Sequence, residues 1–277
     1  MKTLKALKSR REGIEKINKI ARAMEVIAAT RLRRYETDVA GFRPFVQAQR
    51  LVMGSLALRL KKLNNLWAEP PAQDKMGIVI LISSERGFCG GFNNQLFRLI
   101  ESLKDEQSLS FIALGKKGAA YLKRQHFNLI EELVLPGDAQ MQDFVRRITE
   151  KIISSYQEEQ QSIYLIFNKF RQHLLGRGFR KQLLPLEIQE EKGMVLDYIF
   201  EPDTEALLEE LLPVYVGSEI KAAILESKAA EEMARMVAMT QARRNAEDLI
   251  KRLTLQYHKA RQTGITRELV EIANAIR

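Results

Sequence analysis

Apolar residues recur at steps of three and four over both ends of the chain, the pattern of helices that each bury one stripe. Near the start, Leu7, Ile14, Ile17, Ala21, Met24 and Ala28 alternate such steps and predict the seam of a coiled coil, broadened by Ile20, Ile27 and Leu32. Small side chains at Ala21, Ala23, Ala28 and Ala29 would let a second helix approach closely. Pro44 is expected to kink or interrupt this helix, after which Val46, Leu51, Val52, Leu56, Leu60 and Leu63 resume the period. At the other end, Ala246, Leu249, Leu253, Tyr257, Ala260, Ile265, Leu269, Ile272 and Ile276 form one stripe of a helix predicted from Ser218 to Arg277. No proline follows Pro213, and Gly264 is the only glycine after Gly217. Sixty helical residues would make a rod roughly 90 Å long, far more than a compact domain needs. Each stripe needs a mate, and the two ends of the chain offer one another.

Between them the period changes. GIVILIS from Gly77 reads as a buried strand, Asn94 to Leu103 as a helix, SFIAL at Ser110 as a strand and Lys116 to Arg124 as a helix. Asn128 to Val134 suits an edge strand, Gln140 to Glu159 a third helix, Ile163 to Phe167 another buried strand, and LLPLEI near Leu184 a last one. Alternating strands and helices imply a mostly parallel sheet flanked by helices. NNLWAEPPAQDK, with Pro70 and Pro71, reads as a linker before this unit. After it, Pro202 and Asp203 suit the first positions of the closing helix. The expected fold is α/β: a long antiparallel coiled coil of terminal helices, 1–65 and 205–277, carrying an inserted Rossmann-like α/β domain at 75–195.

Composition narrows the class. With 45% hydrophobic and 29% charged residues among 277, the chain is expected to be ordered, with one or two cores. The longest apolar run, Gly77 to Ile82, is far shorter than the roughly 20 residues of a membrane span, and no signal-peptide pattern is visible. The single Cys89 excludes an intramolecular disulfide. Residues 1 to 34 hold eleven Lys or Arg against Glu12, Glu15 and Glu25, a local balance of +8 beside a total of +9. Such a segment suits an acidic partner or simply a solvated face.

Candidate chemistry is sparse. SSERGFCGGFNN, Ser83 to Asn94, places a glycine-rich turn between a strand and a helix, where α/β folds often hold phosphates. No Lys follows Gly90 or Gly91, and glycines at 87, 90 and 91 match neither GxxxxGK[ST] nor GxGxxG, so a tight turn is the reading preferred. Cys89, His126, His173 and His258 carry no nucleophile or metal-ligand signature. The basic start resembles a DNA-gripping zipper helix only superficially, because its basic residues are interleaved with the apolar seam instead of preceding it. No cofactor and no nucleic-acid partner are expected.

IARAMEVIAATRLRRYE, SSERGFCGGFN, DYIFEPD, ESKAAEEMARMVAM and LTLQYHKARQTGITRELVEIANA, in that order, resemble the gamma subunit of F-type ATP synthase over nearly the whole chain. The resemblance implies a non-catalytic central rotor shaft, with alpha and beta subunits around the paired helices, and the epsilon subunit and c-ring at the α/β domain. Flow of protons or sodium ions would turn the ring and the shaft, and the shaft would drive the beta subunits through successive nucleotide states. Membrane association would be indirect, through the c-ring, on the cytoplasmic face of a bacterial inner membrane. Carried over residue by residue, it implies beta-subunit contacts at Met24, Arg31, Arg33, Arg34, Arg261, Gln262, Thr266 and Glu268. It implies c-ring contacts at Tyr198, Phe200 and Glu201, and proximity to beta or epsilon at Glu85, Arg86 and Cys89.

Several positions depart from the family's usual pattern: Glu85, Ala230, Glu232, Arg243, Arg244, His258 and the NAIR ending. The cysteine-bearing insertion of the chloroplast form is absent. These departures keep a divergent paralogue in a second or weakly coupled ATPase as an alternative to the principal rotor, alongside an α/β nucleotide-binding protein.

Overall fold

The computed structural model describes residues 4–61, 67, 77–103, 109–170, 177–186 and 203–275. The elements run α1 (Leu4–Lys61), β1 (Gly77–Ile82), α2 (Phe92–Ser102), β2 (Leu109–Leu114), α3 (Lys116–Arg124), β3 (Asn128–Leu133), a 3₁₀ turn (Asp138–Gln140), α4 (Met141–Glu159), β4 (Ile163–Asn168), β5 (Gly178–Leu184) and α5 (Thr204–Ala275). The chain divides into two compact units. One comprises residues 31–234 and the other residues 1–30 with 235–277.

In the larger unit, five strands lie in the order β3-β2-β1-β4-β5. The first four are parallel and β5 runs antiparallel to β4. Every residue of β1 and β4 is buried, because both faces of the sheet are covered. On one face, Ile78, Ile80 and Ile82 meet Phe144, Ile148 and Ile152 of α4, Leu208 to Ile224 of α5, and Met53 and Leu56 of α1 in a single apolar core. The opposite face is covered by α2 and α3, whose buried positions include Leu96, Ile100 and Leu122. Edge strand β3 alternates exposed and half-buried positions, as the sequence predicts for an edge.

In the smaller unit, α1 and α5 run antiparallel: Glu25 meets Thr240 and Arg243, while Arg11 lies over the Tyr257 ring at 5.8 Å. Leu7, Ala21 and Ala28 are buried on α1, with Met239, Ala246 and Leu253 on α5. Leu7, Ala21 and Ala28 are spaced by multiples of seven, as a coiled-coil seam requires.

The structure corrects several expectations. Pro44 does not interrupt α1, which continues through it to Lys61. The helical bond lost there lies on an exposed turn, open to solvent, and flanking Val39 and Val46 are buried. Pro213 is likewise accommodated, on an exposed position inside α5, which begins at Thr204, one residue before the expected bound of 205. Asp203 sits just before that helix as its cap, with its Oδ1 accepting from the Ala206 amide at 2.9 Å. Ile17, Ile20 and Ile27, expected in or beside the seam, are 53%, 60% and 53% exposed. A seam of two helices is narrow, and alanines already hold its centre. Ile265, Leu269 and Ile272 are exposed as well. The last strand also lies earlier than expected: β5 spans Gly178–Leu184 and overlaps the predicted LLPLEI only at Leu183 and Leu184.

Candidate functional site on the paired helices

The glycine-rich turn after β1 sits where the strand order reverses, the position at which open α/β sheets receive ligands. In this chain its own side chains fill it. Asn93 donates from Nδ2 to Ser84 Oγ at 2.8 Å, and its Oδ1 accepts from the Ser84 amide. Cys89, buried, lies 3.7 Å from Ser84 Oγ. Asn168, at the end of β4, donates to the Phe92 carbonyl at 2.9 Å and so bridges the crevice. Ser83 Oγ accepts from the Gly118 amide at 2.8 Å, pinning α3 to the end of β1. A Cβ at Gly115, where φ is 104°, would stand 2.3 Å from the Ser83 carbonyl oxygen. Gly115 and Gly118 therefore serve close approach to Ser83, whereas a Cβ at Gly87 or Gly91 in the turn itself would meet nothing within 4 Å. Glu85 is committed to the Leu135 amide at 2.9 Å, whereas Arg86 is exposed. Phe88, 72% exposed, takes a left-handed φ of 63°. Among the described residues, no three His, Cys, Asp or Glu gather to hold a metal ion.

Charged groups on the paired helices carry more information. In the smaller unit, Glu25 accepts from Arg243 Nε and from Thr240 Oγ1, both at 2.9 Å, and Arg243 also donates to Glu247 at 2.8 Å. Desolvation pushes the Glu25 carboxyl up, but the hydrogen bonds from Arg243 and Thr240 and the charges of Arg243 and Arg244 outweigh it and leave it below its ordinary value. Met24, the neighbour of Glu25, is half-buried. Beyond Ala260 every described residue except Gly264 is exposed, so Arg261, Gln262, Thr266 and Glu268 all stand in solvent. Thr266 only bonds back to the Gln262 carbonyl at 3.0 Å.

In the larger unit, Arg31, Arg33 and Arg34 are all exposed but not equivalent. Arg31 lies 3.6 Å from the buried Glu232, and Arg34 pairs with Asp138. Arg33 makes no ion pair among the described residues. Asp138 also approaches Lys228 at 3.8 Å. Burial pulls the Lys228 ammonium down, only partly offset by Asp138 and Glu231. Further along, Glu219, 2% exposed, receives both Arg50 and Lys181. Sequence reasoning missed Asp138, Glu219, Arg50 and Lys181 altogether, since their partners lie far apart in the chain. Tyr198, Phe200 and Glu201 fall outside the described residues.

A family model for ATP synthase matches residues 3–277. The ATP synthase gamma chain of Geotalea uraniireducens (strain Rf4) is 35% identical over 282 residues, covering 98% of this chain and 97% of that one. The gamma chain of Desulforamulus reducens is also 35% identical, with the same coverage. The chain belongs to the ATP synthase gamma chain family. Its fold is shared with the rotor of the Euglena gracilis mitochondrial ATP synthase in rotational state 1, at a TM-score of 0.67 and 15% identity over 95% of this chain and 98% of that chain. A second structure of that synthase, in rotational state 3, gives a TM-score of 0.71 at 17% identity, covering 99% and 93%. As a gamma chain it is a non-catalytic subunit, the central stalk of its complex. Neither the closed turn after β1 nor the comparisons support an independent nucleotide-binding protein. Among the described residues, no helix is long and apolar enough to cross a membrane.

Proposed function

We propose that this gamma chain couples ion-driven rotation of a c-ring to conformational cycling of catalytic beta subunits, and that it does so through the exposed faces of α1 and α5. The observation that carries the reading is the bare end of α5. From Arg261 to Ala275 the helix presents polar and apolar residues all round to solvent, which a folded chain sustains when a partner covers them. Arg261, Gln262, Thr266 and Glu268 are the proposed beta contacts there, joined by Met24 and by the arginines at 31, 33 and 34. Arg33, exposed and with no ion pair among the described residues, is the arginine best placed to meet an acidic segment of beta. Alpha and beta subunits would enclose this surface in a ring. Epsilon and the c-ring would meet the α/β unit, with Glu85, Arg86 and Cys89 near beta or epsilon and Tyr198, Phe200 and Glu201 against the c-ring.

The shaft performs no bond chemistry. Three identical beta subunits meet different faces of one asymmetric coil, and differential contact energy selects a different state in each. The coupling ion is a proton or sodium ion, and the setting is the cytoplasmic face of a bacterial inner membrane. Co-expression with alpha and beta subunits tests the reading: a stoichiometric complex that hydrolyses ATP and pumps ions in vesicles is expected. Failure of this chain to enter any complex with alpha and beta would overturn it.

A further inference from the structure

If the chain is a shaft, torque must pass between its sheet and its two long helices. Within residues 31–234 the sheet packs against α1 and α5, and the folded contacts among the described residues give the load a route between them. The apolar core supplies cohesion, yet apolar packing is non-directional and resists separation better than sliding or twisting. Directional contacts fix register, above all a guanidinium gripping a carboxylate with two parallel bonds.

Two ionic contacts tie α1 and α5 to the sheet or to the turn that follows it, the first of them through two guanidinium nitrogens. In the first, Glu219 of α5 accepts from Arg50 of α1 through Nε at 2.5 Å and the second guanidinium nitrogen at 2.8 Å. Lys181 of edge strand β5 reaches the same carboxylate at 2.7 Å. Burial pushes the Glu219 carboxyl up, but its bonds and attraction to Arg50 and Lys181 prevail and hold it below its ordinary value. In the second, Asp138, in the turn that leads from edge strand β3 into α4, receives Arg34 of α1 and, at 3.8 Å, Lys228 of α5. The two contacts draw on opposite edges of the sheet. Along α1 they lie about four helical turns apart, and along α5 between two and three. A body held at two separated points resists both tilt and rotation about the helix axes.

We propose that Lys181 and Asp138 are positioning residues, which with Glu219, Arg50, Arg34 and Lys228 form two ionic joints that transmit torque from the sheet to the paired helices. The inference rests on the rotor reading and adds the route the load takes inside the chain. The Glu219 carboxylate is buried and the Arg34–Asp138 pair exposed; ion pairs of either kind contribute little net stability, whereas fixing register is the best attested use of a buried one.

The test uses the assembled complex in sealed vesicles and reads ions pumped per ATP hydrolysed against a rising opposing gradient. Lys181→Met cuts the sheet from the first joint while leaving the Arg50–Glu219 pair, Asp138→Asn weakens the second, and Lys181→Arg keeps the first. A merely structural role would lower the yield of complex without changing this ratio. The double variant is expected to assemble, to hydrolyse ATP, and to lose about fivefold in the ratio at high gradient, the factor carried by one ordinary interaction. Asp138→Asn alone, at an exposed site, is expected to slip measurably, and Lys181→Arg to behave as wild type. Unchanged pumping in Asp138→Asn or in the double variant overturns the joints, as does slip in Lys181→Arg equal to that in Lys181→Met. Failure of the wild-type chain to assemble removes the rotor reading, and this inference with it.

Discussion

Arg243 donates from Nε to Glu25 at 2.9 Å and so ties α5 to α1 across the paired coil, one residue from Met24. Thr240 Oγ1 reaches the same carboxylate from one turn before. The contact makes the coil acid-sensitive in a defined direction. The Glu25 carboxyl lies lower in the folded chain than its ordinary value, so its stabilisation is complete above the unfolded value of about 4.3. It is lost as pH falls through the folded value. Circular dichroism should record a fall in melting temperature across that acid window, and Glu25→Gln should flatten it. An unchanged acid profile in Glu25→Gln would assign the effect to other carboxylates.

Close helix approach at the seam yields a second prediction. Ala28 is fully buried while its neighbour Ile27 is 53% exposed. Ala28→Leu should overpack the seam and cost about 1–3 kcal/mol in denaturant unfolding. Ile27→Ala should stay within about 0.5 kcal/mol. Equal losses would mean that the seam runs elsewhere.

These residues also show how much of the molecule was legible in sequence. Leu7, Ala21, Ala28, Leu32, Val46 and Leu56 were readable because a buried stripe imposes its period on the chain, and β1, β2 and β4 because a sheet covered on both faces needs unbroken apolar runs. Ile17 and Ile27 misled, because apolarity at the right spacing does not say how wide a two-helix seam is. Pro44 misled because a local breaker was set against tertiary packing, and packing prevailed. Of the candidate site, the family motifs pointed to single residues such as Arg33 and Arg261, but Arg34 with Asp138 and Arg50 with Glu219 join positions more than 100 residues apart. Pairing at that distance leaves no periodic trace in a single sequence.

Two glycines should respond in opposite directions. A methyl group at Gly118 would fall 2.6 Å from Ser83 Oγ and 2.9 Å from Leu81, whereas Gly264, inside α5, has nothing within 4 Å. Gly118→Ala should destabilise by about 1–3 kcal/mol through overpacking against Ser83 and Leu81. Gly264→Ala should stabilise the helix by about 0.5–1 kcal/mol. Should Gly264→Ala also lower ATP-driven pumping while raising the melting temperature, flexibility at that point of the shaft would be part of its action.

Met24 separates folding from coupling. Its side chain is half-buried and sits beside the Glu25 clamp, so a lysine there can extend its ammonium to water without entering the core. Met24→Lys should shift unfolding by less than about 1 kcal/mol. In the assembled complex it should lower pumping per ATP, since a new cation at a proposed beta contact alters the energies that distinguish the three neighbours. A large loss of thermal stability with normal pumping would reverse that ranking.

The end of α5 provides the last prediction. From Arg261 to Ala275 its backbone bonds are supported by no buried side chain, and Ile265, Leu269 and Ile272 are 44%, 61% and 57% exposed. An isolated helical segment of that length is marginal in water, because nucleation is costly and little tertiary packing repays it. In the lone chain these amides should therefore exchange with solvent far faster than those around Ala21, Ala28 and Ala246. In the complex with alpha and beta subunits they should become protected, and Arg261→Ala with Glu268→Ala should reduce that protection without altering the melting of the lone chain. Full protection of 261–275 in the lone chain would mean that this helix end is stable unaided, and it would remove the observation on which the proposed contact surface stands.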